Sequence, residues 1–295
     1  MGRLAGDTYE EAMIQKPFGP TGRNVPRIGQ GSWNIPERGT AAEEVKRALR
    51  RGIELGMTHI DTAEMYGDGR AEEVIGDAIR GLRRTDLFIV SKVLPSNASY
   101  AGTLRACERS LRRLQTDYLD CYLLHWRGSH PLAETMRALE KLVDDGKIRA
   151  LGVSNFDVED LQEAKDALQR HPIACNQVLY HLGERGMEHR VLPWCRKESI
   201  AVVAYTPFGR SALPSESSER GRTLAEIARS HDAGIHAVIL AFLTREPETF
   251  TIPKAATLAH VEANAKAGDL VLDPSELTRI EEAFPRSRST ELRML

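Results

Sequence analysis

Short β-rich runs alternate along this chain with longer segments whose apolar residues recur at helical spacing. Each short run is bounded by turn-forming residues, which is typical of buried strands. The runs predict eight strands, at residues 28–31, 59–62, 87–92, 118–124, 150–154, 174–179, 201–205 and 249–253. The longer segments predict amphipathic helices, for example at residues 41–55, 71–80 and 132–144.

This alternation predicts repeated βα units around a parallel sheet. Eight units without an intervening linker favour a closed (β/α)8 TIM barrel over an open doubly wound sheet. The glycine fingerprint of the open sheet also fails, because Asn34 stands where its last glycine would be. We therefore predict an α/β fold in a single domain, 1–295, with a loose tail at 1–15, a hairpin at 18–25, a mobile polar loop at 209–221 and a short C-terminal tail at 284–295.

Charge and hydropathy indicate which classes of binding partner to expect. The chain has 295 residues, with 40 Lys and Arg against 42 Asp and Glu and a formal net charge of −2, so no general attraction to nucleic acid or anionic lipid is expected. No apolar run approaches the ~20 residues that span a bilayer. We predict a cytoplasmic monomer that binds neither nucleic acid nor membrane. Two arginine clusters at helical spacing are interpreted as solvated helix faces: Arg80, Arg83 and Arg84, and Arg109, Arg112 and Arg113.

The cysteines predict neither a metal site nor a redox pair. They are far apart and lack CxxC or CxxH spacing, so we expect ordinary buried thiols in a reducing compartment: Cys107, Cys121, Cys175 and Cys195. Four histidines also lack ligand spacing and are predicted to be structural: His130, His171, His181 and His231.

Four polar residues stand at or just past the ends of predicted strands: Asp61, Tyr66, Lys92 and His125. In a barrel the carboxyl ends of the strands converge on one rim, so these side chains are expected to meet. A tyrosine has an unperturbed pKa of ~10, and a nearby Lys92 held charged by Asp61 would make its phenolate less costly. Such a site suits proton transfer to a carbonyl oxygen that His125 orients, with a reduced nicotinamide as the natural electron source.

Several motifs in order resemble the aldo-keto reductase superfamily over about residues 16 to 284. They are HIDTAEMYGDG, Ser91-Lys92, LLHW ending at Trp126, GVSNF ending at Phe156 and IPK ending at Lys254. Within that family the chain looks closest to bacterial enzymes that reduce small aldehydes and dicarbonyls such as methylglyoxal. The resemblance implies that Tyr66 is the general acid, that Lys92 and Asp61 tune it, and that His125 orients the carbonyl.

The resemblance also implies NADPH as cofactor, with NADH possible. The residues it implies for cofactor binding are Ser32, Ser154, Asn155, Gln177, Tyr205, Thr206, Pro207, Phe208, Gly209, Arg210, Lys254, His260 and Asn264. Trp33 and Trp126 would wall a pocket for a small carbonyl substrate. Ala255, His260 and Ala263 depart from residues that many NADPH-preferring members carry. The short C-terminal segment suggests an open pocket.

Other interpretations stay open. Ser154 and Asn155 could simply begin a helix, and the two tryptophans could be core aromatics. A cofactor-binding regulatory or structural protein on the same scaffold is the main alternative function. A barrel enzyme for phosphorylated sugars is less favoured, because TPFGR replaces the Gly-rich phosphate loop expected after the seventh strand.

Overall fold

The computed structural model describes residues 13–36, 38–210 and 213–295. Residues 1–12 of the predicted loose tail, and Ser211 and Ala212 of the predicted loop 209–221, lie outside these ranges. The strands are β1 (Gln15–Pro17), β2 (Asn24–Pro26), β3 (Gln30–Gly31), β4 (His59–Asp61), β5 (Phe88–Val93), β6 (Cys121–Leu124), β7 (Leu151–Ser154), β8 (Ile173–Leu179), β9 (Ala201–Tyr205) and β10 (Thr249–Thr251).

The helices surround these strands, and most of them bury one face. They are α1 (Gly39–Glu54), α2 (Arg70–Ile79), α3 (Tyr100–Leu114), α4 (Leu132–Asp144), α5 (Val158–Ala167), α6 (Val191–Lys197), α7 (Glu219–Ser230), α8 (Ile235–Leu243), α9 (Leu258–Ala265) and α10 (Pro274–Ala283). Short 3₁₀ turns lie at Gly19–Thr21, Tyr66–Gly69, Arg84–Asp86, Pro95–Asn97 and Gly186–Glu188. Within the described ranges, none of the helices has the length and apolar content needed to cross a bilayer.

Strands β3 to β10 form one parallel sheet in chain order, and the sheet closes on itself. Ile28 bridges to Thr251 and Gly31 to Lys254, so the first strand pairs with the last. A Cβ atom at Gly31 would lie 2.5 Å from the Ile252 carbonyl oxygen, which explains why glycine stands at the closing contact. The predicted (β/α)8 barrel is confirmed.

An antiparallel hairpin of β1 and β2 precedes the barrel, but it spans residues 15–26 rather than the predicted 18–25. The end of the predicted loose tail is fixed instead, because the Ile14 N–H donates to the Gly268 carbonyl oxygen at 2.9 Å and Gln15 begins β1. From its turn Phe18 enters the barrel interior and packs against Phe88, Phe250 and His59. His59 is fully buried, and this burial lowers its pKa to about 3. The hairpin therefore covers the amino ends of the strands with an aromatic cluster, leaving the carboxyl ends for the site.

The predicted strand bounds differ most at β6, which begins at Cys121 rather than at residue 118. Asp120 accounts for this difference, because its carboxylate accepts the Ile89 N–H at 2.9 Å and pairs with Arg23 and Arg84. A side chain engaged in this way with the neighbouring strand interrupts regular strand pairing. Leu119 makes only an isolated bridge to Ile148.

The interpretation of the arginine clusters as solvated helix faces is wrong for half of them. Arg80, Arg83 and Arg112 are exposed as predicted. Arg84, Arg109 and Arg113 are instead partly buried and pair with the buried carboxylates Asp120, Glu64 and Glu72. Helical spacing places these side chains on a surface but does not show which acidic residues the fold brings to that surface.

Candidate active site

Asp61 and Lys92 meet at the carboxyl ends of the adjacent strands β4 and β5. The Lys92 ammonium donates to Asp61 Oδ1 at 2.6 Å, to the Thr62 carbonyl oxygen at 2.8 Å and to Tyr66 Oη at 3.3 Å. Lys92 is fully buried and Asp61 nearly so. Burial by itself would lower the pKa of Lys92, but Asp61 and Tyr66 outweigh it and raise the pKa above its ordinary value. Lys92 is therefore a permanent cation beneath the phenol.

The Tyr66 loop follows β4 and turns sharply. Gly67, Asp68 and Gly69 all have positive φ, at 56°, 54° and 90°, and two of these three positions carry glycine. The turn places the phenol over Lys92. Burial raises the pKa of Tyr66, while the Lys92 cation opposes that rise. Because the phenol oxygen accepts from the ammonium, its own proton stays available for a third group.

His125 follows β6 beside the phenol, with its ring 5.7 Å from the Tyr66 ring, edge to face. Burial, and secondarily the Lys92 charge, lowers the pKa of His125 to about 2. The imidazole is therefore neutral at physiological pH, which the sequence alone left undecided. Its Nδ1 atom is buried without a hydrogen-bond partner.

A cavity of about 880 Å³ opens above these residues. It receives side chains from the loop after nearly every barrel strand, as the strand-end pattern predicts. Sixteen of the predicted site residues line it: Ser32, Trp33, Asp61, Tyr66, His125, Trp126, Ser154, Asn155, Gln177, Tyr205, Thr206, Pro207, Phe208, Gly209, Arg210 and Lys254. Trp33 is 46% exposed, so it is a wall residue rather than a core aromatic.

Three predicted site residues do not line the cavity. Lys92 lies beneath it, covered by Tyr66. His260 is exposed in the first turn of α9, and Asn264 is buried in the same helix. Both α9 residues follow Lys254 in the sequence, and neither lines the cavity, so a ligand that contacts them must extend beyond it.

An amide and phenol network lines the wall opposite Tyr66. Asn155 has a φ of 61° and donates to the His125 carbonyl oxygen and to Ser154 Oγ, while Tyr205 Oη donates to Asn155 Oδ1 at 2.8 Å. Burial raises the pKa of Tyr205 to about 12, so its phenol stays protonated. The following helix begins at Val158 with Asp157 as its N-cap, so Ser154 and Asn155 do not start it.

Gln177, expected only to bind cofactor, also contacts Asp61. Its Nε2 donates to Asp61 Oδ2 at 2.7 Å, so the two Asp61 oxygens are shared between Gln177 and Lys92. These hydrogen bonds favour the ionised carboxylate. Gln177 therefore links the amide wall to the Asp61–Lys92 pair.

Several lining residues escaped the sequence reasoning. Met65 precedes Tyr66 within a motif already recognised, and that position was a usable signal. Met294 and Leu295 line the cavity although the C-terminal tail was expected to leave it open. The tail lies along the loop after β8, where Arg185 donates to the Phe284 carbonyl oxygen at 2.8 Å and Arg293 pairs with Glu184. No local pattern predicts this docking.

The cavity fits an elongated polar ligand with an aromatic or amide end. Ser32 Oγ is buried at its wall without a hydrogen-bond partner. Tyr205 offers a flat ring beside fixed amide groups, and Lys254 adds a cation farther out. A nicotinamide dinucleotide has the matching chemistry: a flat carboxamide-bearing ring at one end and phosphates along its length.

Comparison with known proteins agrees with a site for a nicotinamide dinucleotide. The model of the aldo/keto reductase family matches residues 27–284. The chain belongs to the aldo/keto reductase family. It is 46% identical over 262 residues to methylglyoxal reductase YeaE of Escherichia coli, covering 89% of this chain and 92% of that protein. It is 36% identical to glyoxal reductase of Bacillus subtilis, covering 88% of this chain and 89% of that protein.

A crystal structure of an aldo-keto reductase from Klebsiella pneumoniae in complex with NADPH superposes with a TM-score of 0.86. The two chains are 46% identical, and the match covers 96% of this chain and all of the other. The predicted family, its closeness to methylglyoxal reductases and the barrel fold are therefore confirmed. As an aldo-keto reductase, the chain is an oxidoreductase.

Proposed function

We propose that this aldo-keto reductase uses NADPH to reduce small aldehydes and dicarbonyls such as methylglyoxal to alcohols, with Tyr66 as the proton donor. The observation that carries the proposal is the Tyr66 phenol, which accepts a hydrogen bond from the buried Lys92–Asp61 pair and faces the cavity beside a neutral His125. The names of the methylglyoxal and glyoxal reductases support the substrate class.

The protein's own residues account for proton delivery. A carbonyl oxygen gains negative charge as it is reduced, and Tyr66 meets that charge with its proton. The Lys92 cation stabilises the phenolate left behind, while Asp61, held by Gln177, keeps the ammonium in place. A neutral imidazole can donate one hydrogen bond to the carbonyl oxygen without competing as a stronger acid. His125 therefore orients the carbonyl, and Tyr66 protonates it.

The cofactor would lie along the wall opposite Tyr66. Bound NADPH supplies the hydride that reduces the carbonyl carbon. Ser154, Asn155 and Gln177 would hold its carboxamide, and Tyr205 would stack on its ring. The segment from Thr206 to Arg210, with Ser32 and Lys254, would follow the phosphates. His260 and Asn264 would meet the adenosine end, outside the cavity described above.

The carbonyl would enter between Trp33 and Trp126, close to Met65 and Tyr66. Two indole walls and a small polar centre suit compact carbonyl compounds. The exposed face of Trp33 leaves this side of the cavity open.

The test is the initial rate of cofactor oxidation with methylglyoxal, an aromatic aldehyde and a phosphorylated sugar, each with NADPH and with NADH. We expect turnover of the first two carbonyls, faster with NADPH. NADPH binding without turnover of any carbonyl would contradict the proposal and favour a regulatory protein. Turnover confined to the phosphorylated sugar would contradict the substrate class.

A further inference from the structure

Two buried carboxylates, Glu64 and Glu72, stand on either side of Tyr66 in the chain. Their side chains are 4% and 0% exposed, respectively. The proposed chemistry gives neither of them a role. Because a buried charge is costly unless it is paired, the partners of each carboxylate indicate its function.

Glu64 ties the beginning of the Tyr66 loop to the end of β5. Its Oε1 accepts from the Leu94 N–H at 2.8 Å and from Asn97 Nδ2 at 2.9 Å, and its Oε2 accepts from Arg109 of α3 at 3.0 Å. Its backbone N–H also donates to the carbonyl oxygen of Lys92 at 3.3 Å. Glu64 therefore connects the residue two places before Tyr66 to the strand that carries Lys92.

Glu72 ties the end of the same loop to the same strand. Its Oε1 accepts from Ser91 Oγ at 2.6 Å, and Ser91 directly precedes Lys92. Its Oε2 accepts from Arg113 at 3.0 Å. The Arg113 guanidinium lies so close to Gly69 that a Cβ atom there would be 2.3 Å from it. Arg113 therefore packs directly against the turn as well as neutralising Glu72.

The segment between these two ties does not have the regular geometry of a helix or strand. Three consecutive residues, Gly67, Asp68 and Gly69, have positive φ. The position of the phenol relative to Lys92 therefore depends on what holds the two ends of the loop. The two holders are built alike. Each has a carboxylate beside the loop, an arginine of α3, and a hydrogen-bond donor within two residues of Lys92, which is Leu94 just after β5 for Glu64 and Ser91 within β5 for Glu72. Arg109 and Arg113 stand one helical turn apart, which suits them to hold both ends from a single rigid helix.

We propose that Glu64 with Arg109, and Glu72 with Arg113, are positioning residues that hold Tyr66 in register with Lys92. We call the four residues the loop clamp. The inference rests on the proposed role of Tyr66 as proton donor. A displacement of ~1 Å at a reacting group can cost as much as ~100-fold in rate. It also weakens the effect of the Lys92 cation on the phenol, because that effect falls with distance.

Loss of the loop clamp should change the pH dependence of the rate, whereas simple loss of stability should not. In the direction of carbonyl reduction Tyr66 must carry its proton, so the rate falls at high pH as the phenol ionises. A weaker contact with Lys92 raises the pKa of Tyr66 and moves this alkaline limb to higher pH. A variant that merely unfolds in part loses rate at every pH and keeps the limb in place.

The experiment compares Arg109→Met and Arg113→Met with the wild type, measuring kcat for methylglyoxal against pH and NADPH affinity by fluorescence. We expect kcat to fall roughly 10- to 100-fold, the alkaline limb to move upward and NADPH affinity to be unchanged. Arg109→Lys, which restores a cation, should recover part of the rate. Arg112→Ala is the matched control on the same helix, since Arg112 is exposed, and should behave as wild type.

Two results would overturn the loop clamp: wild-type kcat in both methionine variants, or a lower kcat with an unmoved alkaline limb. The tyrosinate absorbance of each protein without cofactor, minus that of its Tyr66→Phe counterpart, reports the phenol directly. We expect its titration midpoint to rise in the clamp variants. If the wild type reduces no carbonyl, the proposed function fails, and this titration still decides whether the loop clamp holds Tyr66 beside Lys92.

Discussion

Lys92→Met removes the buried cation while nearly keeping the side chain's length. The native ammonium donates to Asp61, Thr62 and Tyr66, and both members of the Lys92–Asp61 pair are shielded from solvent. The Gln177 amide, which donates to Asp61 at 2.7 Å in the native protein, is unaffected by the substitution, but the Asp61 carboxylate loses its counterion. The substitution therefore leaves a buried negative charge without compensation.

Removing one partner of a buried ion pair typically costs about 3–5 kcal/mol, most of it from the stranded charge. The cost depends on pH. Burial raises the pKa of Asp61, and loss of the cation raises it further. A carboxyl whose pKa is raised by folding contributes stability at low pH that is lost as pH rises. The deficit of Lys92→Met is therefore largest near neutral pH and shrinks by at most ~1.4 kcal/mol per pH unit as the medium becomes acidic.

The assay is urea unfolding of wild type, Lys92→Met, Asp61→Asn and the double variant, followed by circular dichroism at several pH values. We expect the double variant to regain much of the stability that Lys92→Met loses, because neither charge is then buried alone. Two results would contradict this expectation: equal stability of Lys92→Met and the double variant at neutral pH, or a stability deficit of Lys92→Met that does not change with pH.

Three further substitutions test separate features. Burial lowers the pKa of His59 from 6.5 to about 3, so folding loses stability as pH falls between these values; His59→Phe should lower that slope by up to ~1.4 kcal/mol per pH unit in urea melts, and an unchanged slope would contradict it. A Cβ atom at Gly152 would lie 2.7 Å from Leu123 and 2.8 Å from the Cys175 carbonyl oxygen. Gly152→Ala should therefore cost about 1–3 kcal/mol, and an unaltered melting temperature would count against it. His260→Arg places a permanent cation in the first turn of α9. The ratio of kcat/KM with NADPH to kcat/KM with NADH should therefore rise about 10-fold, or ~1.4 kcal/mol, and the same ratio as in the wild type would exclude His260 from the cofactor site.

The sequence predicts the barrel and the rim of the site for a physical reason. Strands buried on both faces read as short apolar runs, and barrel topology brings their carboxyl ends together. Asp61, Tyr66 and His125 could therefore be predicted to share a site before their distances were known. The signal was the polar and aromatic residues at the ends of apolar strands. Proton transfer needs such groups, whereas a strand that simply ends in a turn does not.

Contacts between residues distant in the chain could not be predicted in this way. Arg109 and Arg113 pair with carboxylates 45 and 41 residues away. Arg185 holds the C-terminal tail through Phe284, 99 residues along the chain, and so brings Met294 and Leu295 to the cavity. A helical pattern shows which face a residue occupies, but the partner on that face depends on how neighbouring units pack.

The ionisation of the site also depends on the fold. The pKa of His125 falls to about 2 because the ring is buried above the Lys92 cation. Neither condition is visible in LLHW. Gln177 likewise gains its bond to Asp61 from barrel closure, which brings together β4 and β8, four strands apart in the sheet.

In the proposed mechanism Tyr66 delivers the proton to a carbonyl held above Lys92 and Asp61. The most direct measurement is the single-turnover rate of methylglyoxal reduction by wild type and Tyr66→Phe, each saturated with NADPH, together with the NADPH dissociation constant of both proteins. We expect an unchanged dissociation constant and a rate at least ~100-fold lower in the variant, in line with the usual contribution of general acid catalysis. Equal single-turnover rates in the two proteins would contradict this mechanism.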